Sequence, residues 1–322
     1  MSFSVNCPGH NARTIEKKPW IVTIRGVCSQ PGIGWVAAIL FLQNVLYLPR
    51  KPLVQLMKYS LPVALLATSA SATLATSHLA HGQEWADVTI KFVLDGASPA
   101  GAAVNANADA FCAKQQIPSE RLVVDGSTKG IANMVFMIDG KQTKLAGDQI
   151  HPALKDVPST KPVLDNVNCR FIPHILPIRV GQTVEVKNSD STSHNAKFVF
   201  FNNEEWNQVI PTGGSKTIQI KKAESGPSKV ECNIHPWMTA YHVVTDHPYV
   251  GISNEKGEIK IEKLPAGVEL TFKLWHEAQN KFDEVSVNGK PDSWKKGNVK
   301  FTLKPGANDL GTVSLKPDKF KP

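Results

Sequence analysis

Val230-Glu231-Cys232-Asn233-Ile234-His235-Pro236-Trp237-Met238 places a thiol, an imidazole and a thioether at the end of one short apolar run and in the turn after it. Soft sulfur donors beside imidazole favour copper, and two histidines, a cysteine and a weak axial methionine form the donor set of an electron-transfer copper site. Such a set needs a second histidine from a neighbouring strand. His194, in Asn188-Ser189-Asp190-Ser191-Thr192-Ser193-His194-Asn195, follows the candidate strand Thr183–Lys187 through a polar turn and is the candidate.

The rest of the chain agrees with a β framework. From Glu84 onward, apolar residues alternate in short runs separated by Gly, Pro, Asn and Asp, and no stretch keeps a helical period. Val88–Leu94, Ile131–Ile138, Leu176–Val180, Thr183–Lys187, Lys197–Phe201, Thr217–Lys221, Val230–Cys232 and Tyr241–Thr245 read as strands. Asp139–Val167 opens on an Asp-Gly turn and loses its periodicity, which reads as a long surface loop. After His247-Pro248 a more compact series follows: Ile259–Glu262, Val268–Trp275, Val299–Leu303 and Leu310–Leu315, broken by turns such as Asn254-Glu255-Lys256-Gly257. The expected architecture is all-β, with one sandwich over 83–247 and a smaller one over 248–322.

Charge separates the leader from the remainder. The formal net charge is +8, but residues 1–82 carry Arg13, Lys17, Lys18, Arg25, Arg50, Lys51 and Lys58 against Glu16 alone. The basic excess is therefore a feature of the leader, and a nucleic-acid partner is not expected. Residues 57–82 read as a signal peptide: Met57-Lys58-Tyr59-Ser60 starts it, Leu61–Ala67 is its apolar segment, and Ala80-His81-Gly82 is a small-x-small cleavage site. The expectation is an exported, periplasmic or extracytoplasmic protein whose membrane association could come only from an uncleaved leader. Removal of the leader takes Cys7 and Cys28 with it. Cys112, Cys169 and Cys232 remain, an odd count that suggests one disulfide and one thiol with its own task.

With these residues in view, the chain resembles the cupredoxins, and Cys-x-x-His-x-x-Met with a His-Asn upstream is most similar to their amicyanin and pseudoazurin-like branch. The resemblance covers residues 165–247 well and 84–140 loosely. It implies a Greek-key β-sandwich holding one type 1 copper through His194, Cys232 and His235 in a plane with Met238 axial. It also implies hydrogen bonds from Asn195 to the ligand loops, and Pro236 and Trp237 beside a His235 ring edge that faces a docking redox partner. With Cys232 given to copper, Cys112 and Cys169 are the expected disulfide. The segment after 247 resembles the carboxypeptidase regulatory-like, transthyretin-like sandwiches, which are ordinarily non-catalytic; His276 and Glu277 receive no chemistry.

Rival copper chemistries lack their residues. Structural zinc would use four Cys or His donors rather than a thioether. A binuclear purple site needs two cysteines in one loop. The histidines after residue 83 are His151, His174, His194, His235, His242, His247 and His276, with no His-x-His pair for an oxidase cluster. Glu231 and Asn233 flank Cys232 where a two-centre nitrite reductase would have a histidine. The expected activity is single-electron carriage, not catalysis; the alternative is an exported copper-storage or cell-surface protein.

Overall fold

The computed structural model describes residues 83–101, 103–279 and 282–321, together with a pairing of Glu16–Lys17 (β1) and Trp20–Ile21 (β2). The expected signal peptide, Cys7 and Cys28 lie outside the described residues. Among the described residues, no helix is long and apolar enough to cross a membrane. The fold is all-β, and its strands form two sandwiches.

The first strand shows how the sandwiches are divided. Trp85–Leu94 (β3) buries Ala86, Val88, Ile90, Phe92 and Leu94 on one face, with the two-residue period of a half-buried strand. It lies between Glu258–Pro265 (β15), antiparallel, and Gly306–Leu315 (β20), parallel. Glu284–Val287 (β17) and Lys290–Ser293 (β18) complete that sheet. Opposite it stand Val250–Ile252 (β14), Val135–Ile138 (β4), Glu269–Trp275 (β16) and Asn298–Thr302 (β19). Residues from 85–138 and 249–320 therefore share one core, which includes Phe92, Phe136, Phe272 and Trp294.

The expected boundary at 247/248 is corrected accordingly: β3 and β4 belong with the C-terminal strands. Alternation specifies which face of β3 is buried but not which distant strand pairs with it. The turn Asn254–Gly257 fixes part of this assembly, since Gly257 has φ +78 and its carbonyl accepts from Phe92 N at 2.8 Å. A Cβ at Gly257 would lie 2.0 Å from Phe92 O.

The other sandwich is inserted into this host. One sheet orders Trp206–Ile210 (β10), His194–Phe198 (β9), Ser228–Glu231 (β12), Thr239–Thr245 (β13) and Ile175–Arg179 (β7). The facing sheet orders Ser215–Gln219 (β11), Thr183–Asn188 (β8), Val163–Val167 (β5) and Arg170–Ile172 (β6). Their shared core contains Leu164, Phe171, Val184, Val186, Phe198, Ile210, Val230 and Ala240, and also takes in Ala106 and Cys112.

Part of the expected loop 139–167 is thus strand. The rest holds a turn of 3-10 helix at Gly147–Gln149 and one short helix, Pro152–Lys155 (α1). Strands β5 and β6 escape the alternation rule because each is short and β5 carries Asp165 and Asn166.

The outer faces of β4, β7 and β13 meet. Val135, Met137, Ile175, Tyr241 and Val243 form a third apolar cluster, flanked by Trp275. All four residues of β4 are consequently buried: Phe136 and Ile138 in the host core, Val135 and Met137 at the junction.

Candidate metal centre

Two tied-down turns position the expected donors. Asn188 ends β8, and its side-chain amide donates to Thr192 O at 2.8 Å and Ile210 O at 2.9 Å. This clamps the polar turn, and His194 opens β9 at its end. β12 ends at Glu231, after which Cys232 N donates to Met238 O at 3.2 Å and Met238 N to His235 O at 2.9 Å. The loop 232–238 is thereby closed on itself.

The structure brings His194, Cys232 and His235 together, with one candidate donor atom from each within 4.8 Å of the others. They are 0%, 2% and 2% exposed, so the cluster is buried. His194 Nδ1 and His235 Nδ1 are 2.8 Å apart, and Cys232 Sγ lies 3.8 Å from His235 Nδ1. Met238 is buried in the same core. Burial raises the Cys232 thiol pKa, partly opposed by the Asn195 backbone N–H, which donates to Sγ at 3.5 Å. Burial lowers the His194 pKa, with Asp190 opposing that shift.

The outer ring nitrogens explain the orientation of the inner ones. His194 Nε2 is 2.9 Å from Asp190 Oδ2, and His235 Nε2 is 3.4 Å from Asp109 Oδ2. A carboxylate is acceptor-only, so the hydrogen bond to Asp190 favours Nε2–H on His194, and the 3.4 Å approach of Asp109 favours the same tautomer on His235, which leaves both Nδ1 atoms as lone pairs. Two lone pairs then converge in a dry space beside a thiol. A proton or a metal cation makes that arrangement favourable, and one thiol with two imidazoles is a donor set that suits copper. The residues present therefore fit the implied metal.

Sequence reading missed these two carboxylates. Asp190 lies in the quoted polar turn, four residues before His194, and that spacing is its only signal. Asp109 has none, because its approach to His235 depends on tertiary structure. It is brought there by a segment joined through the Cys112–Cys169 disulfide, which the structure forms as expected.

The remaining expected residues are placed as follows. Asn195 does tie the loops, but through its side-chain carbonyl, which accepts from Asn233 N at 2.6 Å and Ile234 N at 3.2 Å. Its amide nitrogen instead donates to Asn207 Oδ1 at 2.8 Å. Pro236 is exposed; Trp237 is half-buried, its ring 5.1 Å from His235 and its Nε1 donating to Cys169 O at 3.3 Å. The expectation that the His235 ring edge faces a docking surface is not met, since Asp109 covers Nε2; Asn233, Ile234 and Pro236 are the exposed neighbours.

His242 lies in the core against Phe198 and Phe200, with burial lowering its pKa to about 4. His174 is engaged elsewhere: Nε2 pairs with Glu277, and Nδ1 faces Glu120 at 3.8 Å. Glu277, given no role by sequence, thus links the sandwiches through His174.

The chain matches no protein-family model and no curated protein. Partial structural likenesses exist to copper proteins. The Cu(I) form of a methionine-to-alanine mutant of amicyanin is 24% identical over 28% of this chain and 87% of its own, with a TM-score of 0.24. A purple cupredoxin from Nitrosopumilus maritimus is 26% identical over 28% of this chain and 100% of its own, at 0.23. The Cu-containing nitrite reductase (NirK) from Thermus scotoductus SA-01 is 22% identical over 34% of this chain and 27% of its own, at 0.25.

Proposed function

We propose that this chain is an exported one-electron carrier whose single type 1 copper would be held by His194, Cys232, His235 and Met238. The carrying observation is the convergence of His194 Nδ1 and His235 Nδ1, 2.8 Å apart, beside a buried free cysteine. Bound copper would supply exchange between Cu(II) and Cu(I). The chain's own part is to hold the donors. Cys232 would hold copper as the thiolate, its proton passing to solvent, and the Asn195 N–H to Sγ would support that thiolate. Asn195 also restrains the 232–238 loop through two backbone N–H groups.

Burial of the donors favours carriage over catalysis, because a substrate would have to reach the metal. Electron transfer needs only close approach, and exposed Ile234 and Pro236 offer a small apolar contact beside His235 of the kind weak redox encounters use. The host sandwich is read as a non-catalytic accessory.

Addition of Cu(II) to the purified protein should give an intense visible thiolate-to-copper band. Cys232→Ser should abolish it, while His194→Ala should weaken Cu(II) binding. A band that survives Cys232→Ser would overturn the assignment. A colourless protein that binds only Cu(I) and yields it readily to a chelator would support storage instead.

A further inference from the structure

We propose that Asp190 and Asp109 are paired positioning carboxylates that fix the two imidazoles toward the metal and shift the site toward Cu(II), the disulfide holding both in place. This rests on the copper reading above and adds the residues that set its potential.

The two sides are built alike. The hairpin β5–β6 turns through Asn168 and Cys169, with φ values of 51 and 57, the two-residue turn with both centres left-handed. Asn168 N donates to Asp190 Oδ1 at 2.6 Å and Cys169 N to Asp190 Oδ2 at 2.8 Å. The same Oδ2 takes His194 Nε2. Across the disulfide, Phe111 N and Cys112 N each donate to Asp109 Oδ1 at 2.8 Å. Thr192 Oγ1 donates to Asp109 Oδ2 at 2.9 Å, the oxygen facing His235. Each cysteine of Cys112–Cys169 therefore sits in a turn organised by the carboxylate that faces one imidazole.

Backbone donors already occupy these carboxylates. Neither can rotate away without leaving backbone N–H groups unpaired, at the greatest cost at Asp190, whose bond from Cys169 N is buried, so orientation is enforced by the imidazole and by the turn. Carboxylate partners on the outer nitrogens of metal-bound histidines fix tautomer and ring angle and strengthen the ligand. Two anionic groups near a site of changing charge favour its more positive state. Asp190 is the stronger partner, with a side chain 3% exposed and the shorter contact.

Voltammetry on the copper-loaded full chain tests the electrostatic half. Asp190→Asn should raise the potential, with the Cu(I)-to-Cu(II) affinity ratio rising about tenfold, or about 59 mV for a one-electron couple. Asp109→Asn should move it the same way by less. The orienting half is tested without copper or substitution. Imidazole nitrogen NMR of the metal-free protein should show Nε2 protonated on both His194 and His235, with any further proton shared between the Nδ1 atoms.

A normal visible band with unmoved potentials in both variants would overturn the proposal and leave the copper reading standing. So would an unprotonated Nε2 on either ring. Absence of the band in the parent protein would overturn the type 1 carrier reading, while the tautomers would still decide whether the carboxylates orient the rings.

Discussion

The two sandwiches use their interiors differently. The host core is built on aromatic packing: Phe136 stacks on Phe272 at 4.8 Å and 7° between planes, with Phe92 and Trp294 within 6.2 Å of Phe136, and it also buries Ser253, Thr271 and His276. The inserted sandwich buries more polar groups around its cluster: Asn166, Asn188, Asp190, His194, Asn195, His235 and His242. Buried polar groups cost free energy unless paired, and nearly every one of these is held by a backbone or side-chain partner. An inserted unit that spends much of its interior on a site gains from a neighbour whose interior is mainly packed apolar residues. The third cluster, across β4 and β13, joins them.

The largest effect that separates the two interiors is cavity formation in the host. Phe136→Ala removes a ring with 0% exposure from the aromatic stack. It should lower stability by about 3–5 kcal/mol. Chemical denaturation would measure the loss, and the copper band should stay unchanged below the transition. A bleached or shifted band in the folded variant would show that the host core governs site geometry, erasing the division of labour.

What sequence disclosed follows the same division. Cys232 and His235, which the structure brings together with His194, were legible because they sit in one loop, and His194 because a clamped polar turn precedes it; Met238 shares that loop, and the structure places it in the core. The disulfide followed from the assignment of Cys232. Asp109, Glu120 and Glu277 were not legible, since each meets its partner across distant segments. The host was harder to read than the site. Its first strands, β3 and β4, precede the insertion and its last ones follow it, and no local pattern records that Val88 lies opposite Ile261 or beside Asn308. Short strands such as β6 and β14 went unseen for want of enough residues to show a period.

Acid should weaken both interiors, because each holds a dry imidazole. Burial pushes the pKa of His242, in the inserted core, and of His276, packed against Phe320 of the host, down to about 4. Unfolded, each takes up its proton near pH 6.5. Between those values the unfolded chain binds more protons, so stability falls as pH falls from about 6.5 to about 4, by about 3 kcal/mol per residue. His242→Gln should flatten the slope measured by denaturation over that window. Burial also lowers the His194 and His247 pKa values, so part of the slope should persist. A parent protein with no acid-dependent loss above pH 4 would contradict the burial of these rings.

The smallest effect sharpens the comparison most finely, since it changes the site without changing the packing. Met238 is 2% exposed in the inserted core, and leucine has nearly its volume. Met238→Leu should therefore alter stability by less than about 1.5 kcal/mol. The thioether is the weakest of the expected donors, and its loss chiefly destabilises the electron-poor Cu(II) state, so copper should remain bound while the reduction potential rises. Voltammetry and copper titration separate the two properties. An unchanged potential would remove Met238 from the donor set and leave it a residue of the apolar core. A raised potential with undiminished folding stability would place its contribution in the chemistry of the site, beside the convergence of His194, Cys232 and His235.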